Sequence, residues 1–290
     1  MTNVVHVQAK AIKQYAAQVD QWACQALLDE VSLEHKPGLV CPTYQGSHTD
    51  MDYALFLKSI ASLRGYFYQQ VLNGYYQRPL SHIRACGIHA EENMLLATKN
   101  INTHKGAIFN LGFACAAIGR CKYAGQQMSA MNIAEMIKTV WGFDLLNHFQ
   151  RHPEHHGQQV RKKYAVNGAI EEVASGFQTV IHVALPLLQS TQAQLQDSKL
   201  AALQSLFGLI SCVQDTNMVW RGGLSALLIA QDIAKNFLAS GGVYQADWQA
   251  QVQEVADYFI QHRLSPGGSA DLLGVTLFLH QVEHECSHSI

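Results

Sequence analysis

Apolar positions recur at intervals of three and four along almost the whole chain. Ile12, Tyr15, Val19, Trp22 and Ala26 step in this way. That spacing lines them along one face of an α-helix and leaves the positions between for water. Tyr53, Phe56, Ile60, Leu63 and Phe67 predict a second helix by the same rule, and others are predicted over 83–98 and 129–149. The segment 106–119, GAIFNLGFACAAIG, is apolar on every side and rich in Gly and Ala, so other helices can approach its backbone closely. It predicts the central, fully buried helix. Later helices are expected over 171–188, 200–213, 224–239, 248–264 and 270–284, with Gly241 and Gly242 placed where a helix end wants positive φ. Alternating apolar and polar runs bounded by hairpin turns are missing, so no sheet is expected.

Two stretches break this pattern. Residues 150–163, QRHPEHHGQQVRKK, read as an exposed polar loop, and 189–199 as a Gln-rich connection. The polar motifs described below lie on both sides of each. The expected architecture is therefore all-α, a single-domain multi-helix bundle over residues 1–290.

Composition narrows the function more than the fold. A formal net charge of -2 with no run of five or more like charges argues against a nucleic-acid footprint or a polybasic membrane anchor. Any phosphate-binding charge must then be local. The seven cysteines are dispersed without a C-x-x-C pair, so they read as reduced thiols rather than a disulfide framework. With no basic-then-apolar leader and no apolar run of membrane length, a soluble cytoplasmic protein is expected.

The polar residues that packing does not explain gather next to Gly or Pro, mostly just before a predicted helix. A helix N-terminus offers unpaired N–H groups and positive dipole charge, so several converging would suit a polyphosphate. The first group runs His35-Lys36-Pro37-Gly38-Leu39-Val40 and on to Gly46-Ser47-His48-Thr49-Asp50-Met51-Asp52. Lys36 beside a Pro-Gly turn suits a phosphate, while Thr49 or Asp50 would serve equally as a helix cap. The second is Glu91 with Asn102-Thr103-His104-Lys105, four hydrogen-bonding side chains opening the most apolar helix. Burying His104 and Lys105 without partners would be costly, which implies an anionic ligand or a nearby carboxylate. The third is Asp215-Thr216-Asn217 with Arg221-Gly222-Gly223 at what reads as the next helix start. The fourth is Ser265-Pro266-Gly267-Gly268-Ser269-Ala270-Asp271, with Ser269 as expected N-cap and Asp271 in the first turn. Histidines at spacings of four, His280, His284, His288 and His148, His152, have metal-ligand spacing, but an exposed chain end and a polar loop explain them as well.

Taken in order, residues 35–40, 46–51, 102–109, 215–217 with 221–223, and 264–272 resemble the signatures of triphosphoribosyl-dephospho-CoA synthases, and GAIEEVASGF over 168–177 is similar to a further family segment. The resemblance spans about residues 27–279. The chain departs from the family pattern at His35, at Cys41-Pro42 in place of an Asp-Arg pair, and at Ser47 and Asn100.

The resemblance implies an ATP-dependent transfer of a triphosphoribosyl group to 3′-dephospho-CoA, with Mg2+, releasing adenine. The product would be a prosthetic-group precursor, delivered by a separate transferase to the acyl carrier protein of citrate lyase or malonate decarboxylase. It implies candidate catalytic roles for Asp50, His48, Glu91 and Asp271. Lys36, Gly38, Asn102, Thr103, His104, Lys105, Asn217, Arg221, Gly222, Gly267, Gly268 and Ser269 would bind substrate. Asp50, Asp52, Asp215 and Asp271 would be the metal carboxylates. No nucleic-acid or membrane partner is implied, and a homodimer is left open. Two other readings are a magnesium-dependent helical hydrolase of the ADP-ribosylglycohydrolase kind and a non-catalytic helical adaptor. The expectation common to the site roles is that Lys36, Asp50, Lys105, Asp215, Arg221 and Asp271 face one cleft.

Overall fold

The computed structural model resolves the pattern into helices; it describes residues 2–149, 163–164 and 166–287. The chain runs α1 (Thr2–Ser32), α2 (Tyr53–Ser62), α3 (Tyr66–Tyr75), α4 (Leu80–Ala97), α5 (Lys105–Tyr123), α6 (Ala130–Ile137) and α7 (Phe143–Phe149). It continues with α8 (Ala169–Ala174), α9 (Leu185–Leu195), α10 (Ser198–Cys212), α11 (Thr216–Ala239), α12 (Trp248–Gln261) and α13 (Gly267–Ser287). No strand occurs among the described residues, so the all-α expectation holds. No described helix is long and apolar enough to cross a membrane. The expected loop 150–163 falls, apart from Lys163, outside the described residues.

Helix α5 is the buried axis that its composition predicts, with residues from Ala107 to Cys121 inside the core. Small residues let α3 lie directly on it: a Cβ on Gly74 would sit 1.8 Å from the Ala116 carbonyl oxygen, and one on Gly119 2.0 Å from that of Val71. A second helix, α10, is also buried over Ala201–Ile210. Helix α13 packs on α1, α5 and α10 and so ties the two buried helices together. The buried apolar side chains form one cluster.

Several expected elements are corrected. The helix expected through Tyr53 and Phe67 is two helices, because Gly65 takes φ 87 and turns the chain between them. The helix expected over 171–188 breaks at Gly176 and Phe177, both at positive φ. The Gln-rich 189–199 is mostly helix, leaving only Gln196 and Asp197 between α9 and α10, in keeping with the good helix propensity of Gln. Arg221 and Gly222 end a first helical stretch of α11 that starts at Thr216, and Gly223, with φ 75 and ψ -177, breaks the helix there, so the expected helix start just after Arg221-Gly222-Gly223 is met. Ser269 is not an N-cap, because α13 begins earlier, at Gly267.

The irregular stretch between α1 and α2 earns its glycines through close approach. A Cβ on Gly38 would lie 2.2 Å from the Leu264 carbonyl oxygen, and one on Gly46 2.5 Å from the Gly38 backbone. Both have positive φ. The Pro-Gly turn therefore lets this loop seat against the α12–α13 loop, where Ser47 Oγ also donates to the Phe259 carbonyl at 3.1 Å.

Candidate active site

A cavity of about 920 Å³ opens where these two loops meet the first turns of α5, α11 and α13. Its volume suits a large ligand. Of the residues expected to share a cleft, Lys36, Lys105, Asp215, Arg221 and Asp271 all line it. His48, Glu91, Asn102, Thr103, His104, Asn217, Gly267 and Gly268 line it as well. Asp50 is exposed beside the rim, its Oδ1 3.8 Å from His48 Nδ1. Asp52 is exposed and caps α2, its Oδ1 accepting the Leu55 N–H at 2.8 Å. Gly38, Gly222 and Ser269 support the walls from behind and are not part of the lining.

The expected open helix N-termini are instead occupied by the protein's own side chains. Asp215 Oδ1 accepts the N–H groups of Asn217 and Met218 at the start of α11. Its Oδ2 accepts that of Ser269 in α13 at 3.0 Å, and the Gly268 N–H also turns to this carboxylate. Four N–H groups fill the lone-pair directions of one carboxylate. Asp215 is thus a latch joining two helix starts, which explains why α13 can open on two glycines with no cap of its own. Burial still pushes its carboxyl above the usual range, opposed by those N–H groups.

Asp271 is arranged differently. Its carboxylate reaches the first turn of α5 and accepts the Ala107 N–H, leaving lone pairs toward the cavity. The approach is so close that a Cβ on Gly106 would fall 1.9 Å from Asp271 Oδ2. Burial, with the charges of Glu30 and Asp215, raises the Asp271 carboxyl well above its ordinary value.

His104 is the N-cap residue of α5 but makes no side-chain cap bond; Asn102 Oδ1, rather than Thr103, accepts the first N–H of the helix, that of Lys105, at 3.1 Å. Thr103 Oγ1 donates to Ser59 Oγ at 2.7 Å. The cations have partners as the cost of burial requires. Lys105 Nζ lies 2.5 Å from Glu91 Oε1 and is partly open to the cavity. Lys36 is 1% exposed, donating to the Glu30 carboxylate and to the Glu30 carbonyl, each at 2.6 Å. Exposed Arg221 straps the two loops, donating to the Ser47 carbonyl and His48 Nδ1, both at 3.2 Å, and to the Arg263 carbonyl at 3.5 Å. With Nδ1 accepting, His48 Nε2 carries the proton and donates to Ser265 Oγ at 2.8 Å. Burial and the Arg221 charge hold the His48 pKa below its usual value.

Glu30, Ser59 and Asn110 were not singled out by sequence. Only Asn110 gave a signal, as the one amide within an otherwise apolar helical run. Glu30 sits among ordinary helical positions until folding brings Lys36 onto it. Among the described residues no group of three or more His, Cys, Asp or Glu side chains could hold a metal alone. His152 and His288 lie outside the described residues, as does the side chain of His148.

Residues 16–289 match the family described as ATP:dephospho-CoA triphosphoribosyl transferase. A protein of Acinetobacter calcoaceticus named as a probable 2-(5''-triphosphoribosyl)-3'-dephosphocoenzyme-A synthase is 59% identical over 274 residues, 94% of each chain. A 2-(5''-triphosphoribosyl)-3'-dephosphocoenzyme-A synthase of Pectobacterium atrosepticum is 37% identical over 275 residues, 92% of this chain and 90% of that relative. A crystal structure from Archaeoglobus fulgidus, assigned as a triphosphoribosyl-dephospho-CoA synthase, superposes with a TM-score of 0.53 at 16% identity. It covers 77% of this chain and 98% of its own, a likeness of fold.

Proposed function

The chain belongs to the ATP:dephospho-CoA triphosphoribosyl transferase family, and from that premise we propose that it moves the triphosphoribosyl group of ATP onto the ribose 2′-hydroxyl of 3′-dephospho-CoA. It is a transferase. In the proposed reaction the C1′–N9 bond of ATP breaks with its electron pair leaving on adenine. The C1′–O2′ bond forms, the hydroxyl loses its proton, and adenine takes up a proton on release. The product would serve as precursor of the prosthetic group on the acyl carrier protein of citrate lyase or malonate decarboxylase.

One observation carries this reading. A single cavity sets two accessible cations, Lys105 and Arg221, across from a buried carboxylate with free lone pairs, Asp271. Lys105, Arg221, Asn102 and Asn217 suit the triphosphate. Asp271, raised by burial, suits removal of the 2′-hydroxyl proton and stabilises positive charge growing at C1′. Lys36 serves as half of the buried pair beneath them, and Asp215 holds the two helix starts in register. A magnesium ion fits this donor set through Asp271 and substrate phosphates, since Mg2+ prefers oxygen and one or two carboxylates suffice. When bound it would neutralise phosphate charge.

The direct test is incubation with ATP, Mg2+ and dephospho-CoA, followed by mass spectrometry. Free adenine together with the triphosphoribosylated adduct is expected. Adenine or phosphate release without need for dephospho-CoA would replace the transfer with hydrolysis.

Two variants probe the assigned geometry. In Gly106→Ala the new methyl must displace the Asp271 carboxylate, so turnover should drop on the order of 10²-fold, the cost of losing a positioned base. Unchanged turnover would take Asp271 out of the chemistry. Asp52→Ala should cost about 1 kcal/mol of stability, the usual value of an N-cap, with turnover unchanged. A steep loss of turnover, reversed by raising Mg2+, would instead return Asp52 to the metal site.

A further inference from the structure

Two buried polar atoms of opposite sense have no hydrogen-bond partner in this cavity wall: His104 Nε2 and Asn110 Oδ1. His104 is 3% and Asn110 1% exposed, and both residues line the cavity. A buried polar atom left unpaired is costly, so such a pair is kept for what it meets.

The proton on His104 is placed by its neighbours. Thr103 Oγ1 donates to Ser59 Oγ at 2.7 Å, and Ser59 Oγ stands 2.7 Å from His104 Nδ1. Ser59 Oγ accepts from Thr103, and Nδ1 is the atom left within reach of its own proton, so that proton goes to Nδ1. Nε2 then bears the hydrogen and is a donor. Burial and the Lys36 charge drop the His104 pKa to about 3, so the ring is neutral at working pH. It is therefore not a phosphate cation. Asn110 supplies the matching acceptor from a stripe of α5, Gly106, Asn110 and Phe113, which lines the same cavity. Apolar side chains stand beside them: Phe56 meets the His104 ring edge-on at 4.9 Å, and Ile83 and Phe113 line the wall.

We propose that His104 Nε2–H and Asn110 Oδ1 form a base-reading subsite for a 6-aminopurine, the donor meeting a ring nitrogen and the acceptor meeting the exocyclic amino group. Ser59 is the positioning residue that fixes the tautomer. A neutral donor and acceptor on an apolar wall discriminate a purine edge without favouring phosphate. The proposal deepens the function given above and relies on it for the substrates, both of which carry adenine.

The test compares ATP with inosine triphosphate at fixed dephospho-CoA, and dephospho-CoA with its hypoxanthine analogue at fixed ATP. In each arm kcat/KM is measured for the native chain, Asn110→Leu and Ser59→Ala. Hypoxanthine puts an oxygen where the amino group stood, facing it against Asn110 Oδ1. The native chain should prefer adenine by about 100-fold in one arm, since a site built to bond an N–H rejects an analogue lacking it. Asn110→Leu should bring that ratio to within about 3-fold by losing rate on the adenine substrate only. Ser59→Ala should lower the ratio partly. A merely structural role would slow both substrates alike and leave the ratio intact. The arm that responds identifies whether the base belongs to the donor or the acceptor. Adenine preference in neither arm, or preference untouched by Asn110→Leu, overturns the proposal. Should the native chain make no adduct, calorimetric binding of ATP against inosine triphosphate to the native and Asn110→Leu chains still decides it, separately from the reaction.

Discussion

Asp271→Asn is expected to lower turnover by about 10²–10⁴-fold, the usual contribution of a positioned proton acceptor, while the protein melts at the same temperature or higher. The two outcomes follow from one cause. Burial and the charges of Glu30 and Asp215 raise the Asp271 carboxyl well above its ordinary value. A carboxylate whose folded pKa is raised contributes stability below its unfolded pKa and loses it as pH climbs through the folded one. Ionising the buried group therefore weakens the fold, and a neutral amide removes that cost while its oxygen can still accept the Ala107 N–H. A residue kept for packing would show the reverse, with stability lost and turnover spared. Thermal melting and adduct formation measured on the same preparation check it, and a destabilised but active Asp271→Asn would refute the assignment.

The second large effect concerns stability. Glu30→Ala should cost about 3–5 kcal/mol, because it strands the Lys36 ammonium with no carboxylate in a site only 1% exposed. The double variant Glu30→Ala, Lys36→Met should recover most of that loss, since a buried pair is often replaceable by apolar side chains of similar volume. Denaturant titration of the two variants separates the cases. An additive double variant would mean that Lys36 and Glu30 act independently, against the 2.6 Å contact between them.

How much of this was legible beforehand depends on what each feature rests on. The helical class and the buried α5 follow from periodicity and from Gly and Ala spacing, which are local properties of the chain. The gathering of Lys36, Lys105, Asp215, Arg221 and Asp271 was anticipated from polar residues beside Gly and Pro, and the cavity contains them all. Their partners were not legible, since Glu30 meets Lys36 and Asp215 meets Ser269 only once the chain has folded. The open helix starts expected to bind phosphate are filled by Asp215, Asp271 and Asn102. Sequence marks a candidate anion site at such a terminus but not a carboxylate arriving from another helix. The glycines tell the same story. Gly38 and Gly106 look like parts of a binding loop, yet one is small to admit the Leu264 carbonyl and the other to admit Asp271.

The central claim is that ATP and dephospho-CoA meet in this cavity with the sugar of ATP beside Asp271. It is tested most directly by a crystal structure of the Asp271→Asn chain with both substrates bound. The account predicts the triphosphate against Lys105 and Arg221 and the C1′ atom within contact of residue 271. Both substrates well ordered on another surface, with the cavity holding neither, would contradict it.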